Sequence, residues 1–113
     1  MMKIYHNPRC SKSRQTLSLL EEKGKSPEII EYLKDTPSKD ELKAIIKKLK
    51  IQPEALIRKG EADYKENFKG KSLSDDAWID AMIKYPKLIE RPIVVNGDKA
   101  AIGRPPEKVL EVV

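Results

Sequence analysis

The stretch Ile93-Val94-Val95-Asn96-Gly97-Asp98-Lys99-Ala100-Ala101-Ile102 constrains the fold of this 113-residue chain more than any other. Ile93, Val94 and Val95 are β-branched and suit a buried extended strand. Asn96-Gly97 is the residue pair that best tolerates the positive φ of a tight hairpin turn. The chain is therefore expected to return antiparallel over Lys99 to Ile102, as the extension of a sheet begun elsewhere.

The elements before it supply that sheet. Lys3 to Tyr5 reads as a short strand, Ser11 to about Gly24 as a helix with Leu17 and Leu20 inward, and Glu28 to Tyr32 as a second strand. A strand, a helix and a strand in this order give a parallel pair. Ser38, followed three residues later by Glu41, is a capping-box start for a helix that places Leu42, Ile45, Ile46 and Leu49 on one face. Gln52-Pro53-Glu54 opens a short helix carrying Leu56 and Ile57, and the polar run 59–73 holds a helical turn near Tyr64 to Phe68. Ser74 caps a helix bearing Ala77, Trp78, Ala81 and Met82, which Pro86 ends; Pro105-Pro106 opens a last helix with Val109, Leu110 and Val113 inward. The order is βαβ, a helical block, then a β-hairpin and a helix. This is an α/β chain of the thioredoxin-like fold: one domain over residues 1–113, with a helical insertion at about 37–85.

Charged residues make up 36% of the chain and apolar clusters recur at regular spacing, which marks a folded and not a disordered protein. No apolar run has the length of a membrane span and no signal-peptide pattern opens the sequence, so a cytoplasmic location is expected. The net charge of +5 is spread over lysines interleaved with acids and lacks the aromatic–basic pattern that stacks bases, which argues against a nucleic-acid partner. The arginines are used differently. Arg9 and Arg14 flank a cysteine, Arg91 and Arg104 each precede a proline, and Arg58 follows Leu56-Ile57. Arginine's planar fork grips oxyanions through two bonds, whereas lysine is a point charge.

Cys10 is the only cysteine, so no internal disulfide can form. It lies where the first strand turns into the first helix, facing unpaired backbone N–H groups and the positive end of a helix dipole, which both favour the thiolate. Lys12 and Arg14 add positive charge. With Ser13 three residues on, this is not a Cys-x-x-Cys dithiol, and Arg14 stands too close to Cys10 for a tyrosine-phosphatase loop. His6 is either a base or hydrogen-bond partner for the thiol or a structural residue at a strand end. Ser13 either donates to the thiolate or caps the helix. Ordinary hairpin pairing would place Arg91 beside Arg104, an arrangement that an anion between them would favour. A cis bond before Pro92 is one way to bend the chain toward such a site.

Together these residues resemble the glutaredoxin-coupled arsenate reductase (ArsC) family, in its chromosomal Ser-Lys-Ser subgroup. The blocks that carry the resemblance run through nearly the whole chain. They are Tyr5-His6-Asn7-Pro8-Arg9-Cys10 with Ser13-Arg14 and Thr16-Leu17; Tyr32-Leu33; Ser38 with Asp40-Glu41-Leu42; Ala55-Leu56-Ile57-Arg58-Lys59; and Glu90-Arg91-Pro92-Ile93-Val94-Val95 with Ile102-Gly103-Arg104-Pro105. The resemblance implies that Cys10 is the nucleophile, that Arg58, Arg91 and Arg104 bind the oxyanion, and that His6 and Ser13 tune the thiolate. Ser11, Lys12 and Arg14 are the further residues expected to contact substrate. Arsenate would be reduced to arsenite with glutathione as co-substrate and glutaredoxin as partner, by a monomer with no metal and no tightly bound cofactor. The chain departs from the family's plasmid-borne enzymes, which carry Gly-Thr after the cysteine where this sequence has Ser11-Lys12.

Two other readings share parts of this pattern. Spx-type regulators of RNA polymerase have the same fold, and commonly carry a second cysteine where this chain has Ser13. A glutathione-dependent thiol transferase would need Cys10 but not all three arginines.

Overall fold

The computed structural model describes residues 2–113, and their backbone divides into two compact units: residues 2–35 with 91–113, and residues 36–90. The first unit is built on a four-stranded sheet of β1 (Met2–His6), β2 (Glu28–Glu31), β3 (Ile93–Asn96) and β4 (Lys99–Ile102), in the order β2-β1-β3-β4. β1 runs parallel to β2 with Ile4 opposite Ile29, and antiparallel to β3 with Ile4 opposite Val94. β3 and β4 form the hairpin, Val94 opposite Ala101. The βαβ crossover and the appended hairpin are the thioredoxin-like arrangement expected from the element order.

Helix α1 (Ser11–Glu22) makes the crossover. Leu20 from α1, Ile4 and Val94 from the two central strands and Val109 from the C-terminal segment are each fully buried in one cluster, which Met2, Leu17, Ala101, Val112 and Val113 flank. Burying a side chain of this size contributes roughly 1.5–3 kcal/mol, so these four residues hold α1 to the sheet. The helix ends in a Schellman motif: Gly24 at φ +76 donates to Glu21 O, and Lys25 N–H donates to Leu20 O.

Three local features differ from the sequence expectation: the hairpin turn, the buried line of α1 and the last helix. The hairpin turn is Gly97-Asp98, because Asn96 pairs with Lys99, and only Gly97 has positive φ (+64), the pattern of a type II′ turn. Asn96 instead spends its side-chain N–H₂ on Val112 O, 2.7 Å away. β2 is the strand expected near Glu28 to Tyr32, ending at Glu31, and lies at the sheet edge with Ile29 49% exposed. The buried line of α1 is Ser13, Thr16 and Leu20, while Leu17 is half-buried. The last helix is a 3-10 segment, Pro106–Glu111, with Pro105 before its first turn in extended conformation.

The second unit is helical. Ser38 Oγ accepts from Glu41 N–H at 3.1 Å and starts α2 (Lys39–Leu49), whose Leu42, Ile45 and Ile46 are buried. A 3-10 turn (Pro53–Leu56) and α3 (Ala62–Asn67) follow, so the polar run does contain the expected helical turn. Ser74 Oγ accepts from Ala77 N–H to start α4 (Asp75–Lys84), and a 3-10 turn over Pro86–Leu88 closes the block. Trp78 packs between Tyr64 and Phe68 with ring centroids 6.3 and 6.0 Å away. An isolated antiparallel bridge joins Ile57 to Ile89, with Arg58 N–H donating to Leu88 O and Glu90 N–H to Leu56 O. Among the described residues no helix is long and apolar enough to cross a membrane.

Candidate active site

β1 ends at His6, and residues 7–10 carry the chain into α1 as a loop tied mainly through one residue, Asn7. Asn7, buried, accepts from Arg9 N–H with its Oδ1 and from Cys10 N–H with its carbonyl, both at 3.0 Å. Its own N–H donates to Ser13 Oγ at 3.0 Å. Arg14 Nη1 donates to Pro8 O at 2.9 Å and closes the loop from the helix side. The sequence marked Asn7-Pro8 only as a turn former. The structure makes Asn7 the hub that fixes where the cysteine sits.

Cys10 is the N-cap of α1, extended at φ −93 and ψ 123, half-buried and free. No side-chain oxygen caps this helix, and its first turn holds no acidic residue, unlike α2 with Asp40 and Glu41 or α4 with Asp75 and Asp76. The positive end of its dipole is therefore left for the sulfur. Burial by itself pushes the thiol up. The Ser13 N–H, the Arg91 side chain, the Arg104 charge and the Lys12 N–H outweigh it, and the thiol lies below its ordinary value.

Arg104 reaches Cys10 from the other end of the hairpin. Its Nη2 donates to Cys10 Sγ at 3.4 Å and its Nε donates to Arg91 O at 2.8 Å, so one guanidinium spans the sulfur and the backbone before Pro92. The Arg91-Pro92 and Arg104-Pro105 bonds are both cis. Cys10, Arg91 and Arg104 thus come together within one unit; hairpin geometry suggested only that the two arginines would be neighbours.

His6 takes the structural place at the end of β1, whereas the Ser13 hydroxyl neither meets the sulfur nor caps the helix. His6 Nδ1 lies 2.7 Å from Ser13 Oγ, both residues are buried, and Ser13 meets the sulfur with its backbone N–H. With one lone pair filled by Asn7 N–H, the Ser13 hydroxyl can donate to the neutral ring. Burial holds His6 below its usual value; Glu31 opposes this and Arg14 adds to it. Ser11, Lys12 and Arg14 line an open groove of about 660 Å³ along the outer side of α1, walled by Pro105 and Glu107.

Arg58 belongs to the helical unit. Its Nη1 donates to Glu90 Oε1 at 2.6 Å and its Nε to Glu61 Oε2 at 3.4 Å. Burial alone would lower it, but Glu90 and Glu61 hold it above its ordinary value. Sequence reasoning missed Thr16 and Gly103, since neither carries reactive chemistry. Thr16 is fully buried, and a Cβ at Gly103 would lie 2.5 Å from Thr16 Oγ1. Among the described residues no cluster of His, Cys, Asp and Glu could hold a metal ion.

The family model described as the ArsC family matches residues 5–112. The arsenate reductase of Haemophilus influenzae is 51% identical over 96% of this chain and 96% of its own. The Escherichia coli protein YfgD is 53% identical over 99% of this chain and 96% of its own. The solved structure of an arsenate reductase from Vibrio cholerae superposes with a TM-score of 0.96 at 53% identity, covering 99% of this chain and 97% of that one.

Proposed function

From the premise that this chain belongs to the ArsC family, we propose that it reduces arsenate to arsenite, with Cys10 as nucleophile and glutathione and a glutaredoxin as the source of electrons. The observation that carries this reading is the Cys10 sulfur held low by backbone N–H groups and by the Arg91 and Arg104 guanidiniums. Positive charge of this kind stabilises a thiolate and attracts an oxyanion to the same place. Arg58 is assigned as the third oxyanion arginine by its position in the matching block Ala55 to Lys59.

In the first step the Cys10 thiolate forms a bond to arsenic and one arsenate oxygen leaves as water after protonation, while the arginines carry the charge of the remaining oxygens. The glutathione thiolate then attacks the adduct. Two electrons pass to arsenic, As(III) departs as arsenite, and the two sulfurs remain as a mixed disulfide. A glutaredoxin thiol takes the glutathione and returns Cys10. Because the chain has one cysteine, the second thiol has to come from outside it. Lys12 and Arg14, facing the open groove beside this helix end, would meet the carboxylates of that thiol. The protein would work as a monomer in the reducing, glutathione-rich cytoplasm.

The reading is tested by NADPH consumption in a mixture of arsenate, glutathione, glutaredoxin and glutathione reductase. Wild type should consume NADPH in proportion to arsenate, and Cys10→Ser should not. Wild type no faster than Cys10→Ser would remove the reductase reading. Arsenate-independent turnover that survives Arg91→Ala would instead mark a thiol transferase.

A further inference from the structure

We infer that Gly103 and Thr16 form a spacer that sets how closely the Arg91–Arg104 segment approaches Cys10, which makes both of them positioning residues for the nucleophile. The inference rests on Cys10 being the reactive thiol but not on arsenate being its substrate.

Gly103 differs from the other glycines of the chain. A Cβ placed on Gly24, Gly60, Gly70 or Gly97 would meet nothing within 4 Å. On Gly103 it would lie 2.5 Å from Thr16 Oγ1, 2.8 Å from Pro92 Cγ and 3.1 Å from Thr16 Cγ2. Gly103 does not have positive φ, so the backbone does not need a glycine there for its conformation. What it needs is contact between main chain and helix side chain with nothing between them.

Each participant in that contact is held in place. Thr16 is fully buried and its Oγ1 donates to Lys12 O at 2.8 Å, which locks its side chain against the first turn of α1. The Lys12 and Ser13 N–H groups of that same turn face the sulfur. On the opposite side, Gly103 N–H donates to Pro92 O at 2.9 Å, so the segments carrying Arg91 and Arg104 move together. The residue after Gly103 is the one whose guanidinium meets Cys10 at 3.4 Å and Arg91 O at 2.8 Å. Thr16 therefore stands between two sets of donors, one on the helix and one on the hairpin, and fixes their separation.

An alanine at 103 has to open the contact by about 1 Å to bring 2.5 Å to an ordinary carbon–oxygen separation. The Arg104–sulfur hydrogen bond stands at 3.4 Å, an ordinary length for a sulfur acceptor, and a shift of about 1 Å takes it out of range. The fold can absorb this movement locally, but the guanidinium and the thiolate cannot stay paired.

The test is the pH dependence of iodoacetamide alkylation at Cys10, together with thermal unfolding, in wild type, Gly103→Ala, and Gly103→Ala combined with Thr16→Ala. In the single variant the midpoint should move up toward that of a free thiol, and alkylation at pH 7 should slow roughly three- to tenfold. Removing Thr16 Oγ1 and Cγ2 in the same background should bring the midpoint back. A Gly103→Ala protein with the wild-type midpoint would overturn the inference. So would a double variant that recovers its melting temperature but not its midpoint. If the single variant does not fold, the double variant decides: a wild-type midpoint supports the spacer, and a free-thiol midpoint rejects it.

Discussion

Arg104 Nη2 donates to Cys10 Sγ across 3.4 Å, pairing two side chains that stand 94 positions apart in the sequence. The bond is charge-assisted once the sulfur ionises, and the same guanidinium is anchored through Nε to Arg91 O at 2.8 Å. One residue thus meets the sulfur and holds the segment that carries Arg91.

Arg104→Ala should therefore cost more than a surface arginine would. Losing a hydrogen bond to a charged group is worth about 1.5–3 kcal/mol, which is roughly a 10- to 150-fold loss in kcat/KM. Alkylation of Cys10 should require higher pH in the same variant. Arg104→Lys keeps the charge but not the fork, and should fall between. Equal alkylation profiles in wild type and Arg104→Ala would show that the arginine does not support the thiolate.

His6 gives a pH dependence of known sign. Burial holds its folded-state value low, Glu31 opposing and Arg14 assisting, whereas in the unfolded chain it returns to about 6.5. As pH falls below that value the unfolded chain takes up the proton first. Stability is complete above about pH 6.5 and is lost as pH drops toward the folded-state value. Urea unfolding at pH 7.5 and pH 5.5 should show a larger loss for wild type than for His6→Asn, which keeps a polar side chain near Ser13 but cannot titrate. Parallel losses in the two proteins would contradict this assignment.

Arg58 is ion-paired with Glu90 while the side chains are only 24% and 25% exposed, so removing it takes a charge partner from a half-buried carboxylate. Arg58→Ala should destabilise the protein by about 1–2 kcal/mol, read as a drop of several degrees in Tm. In a double-mutant cycle with Glu90→Gln most of that penalty should disappear. The oxyanion role makes a separate demand: the KM for arsenate should rise in Arg58→Ala beyond its rise in Glu90→Gln. Matching KM values in the two variants would leave Arg58 with a structural role only.

Much of this was legible along the chain because it depends on neighbours. Ser38 with Glu41 and Ser74 before its helix are capping patterns, and both caps form as read. Gly24 stops α1 because a left-handed residue is needed after its last turn. Ile93 to Val95 made a central strand, since three β-branched residues in a row are buried on both faces of the sheet. Errors came where a partner decided. Asn96 left the centre of the turn because Lys99 pairs with it, which moves the two turn residues to Gly97-Asp98. The Ser13 hydroxyl meets His6 Nδ1 and Asn7 N–H, and it is the Ser13 backbone N–H that faces the sulfur.

What the sequence determined by itself was the order of the elements, their caps and stops, and the presence of one thiol at the unguarded start of a helix, all set by contacts within a few residues. Which arginines meet that thiol, which group takes the Ser13 hydroxyl and why position 103 carries no side chain were decided only by the tertiary structure. Those outcomes depend on distances of 2.5 to 3.4 Å between segments that the sheet register and the packing of α1 bring together.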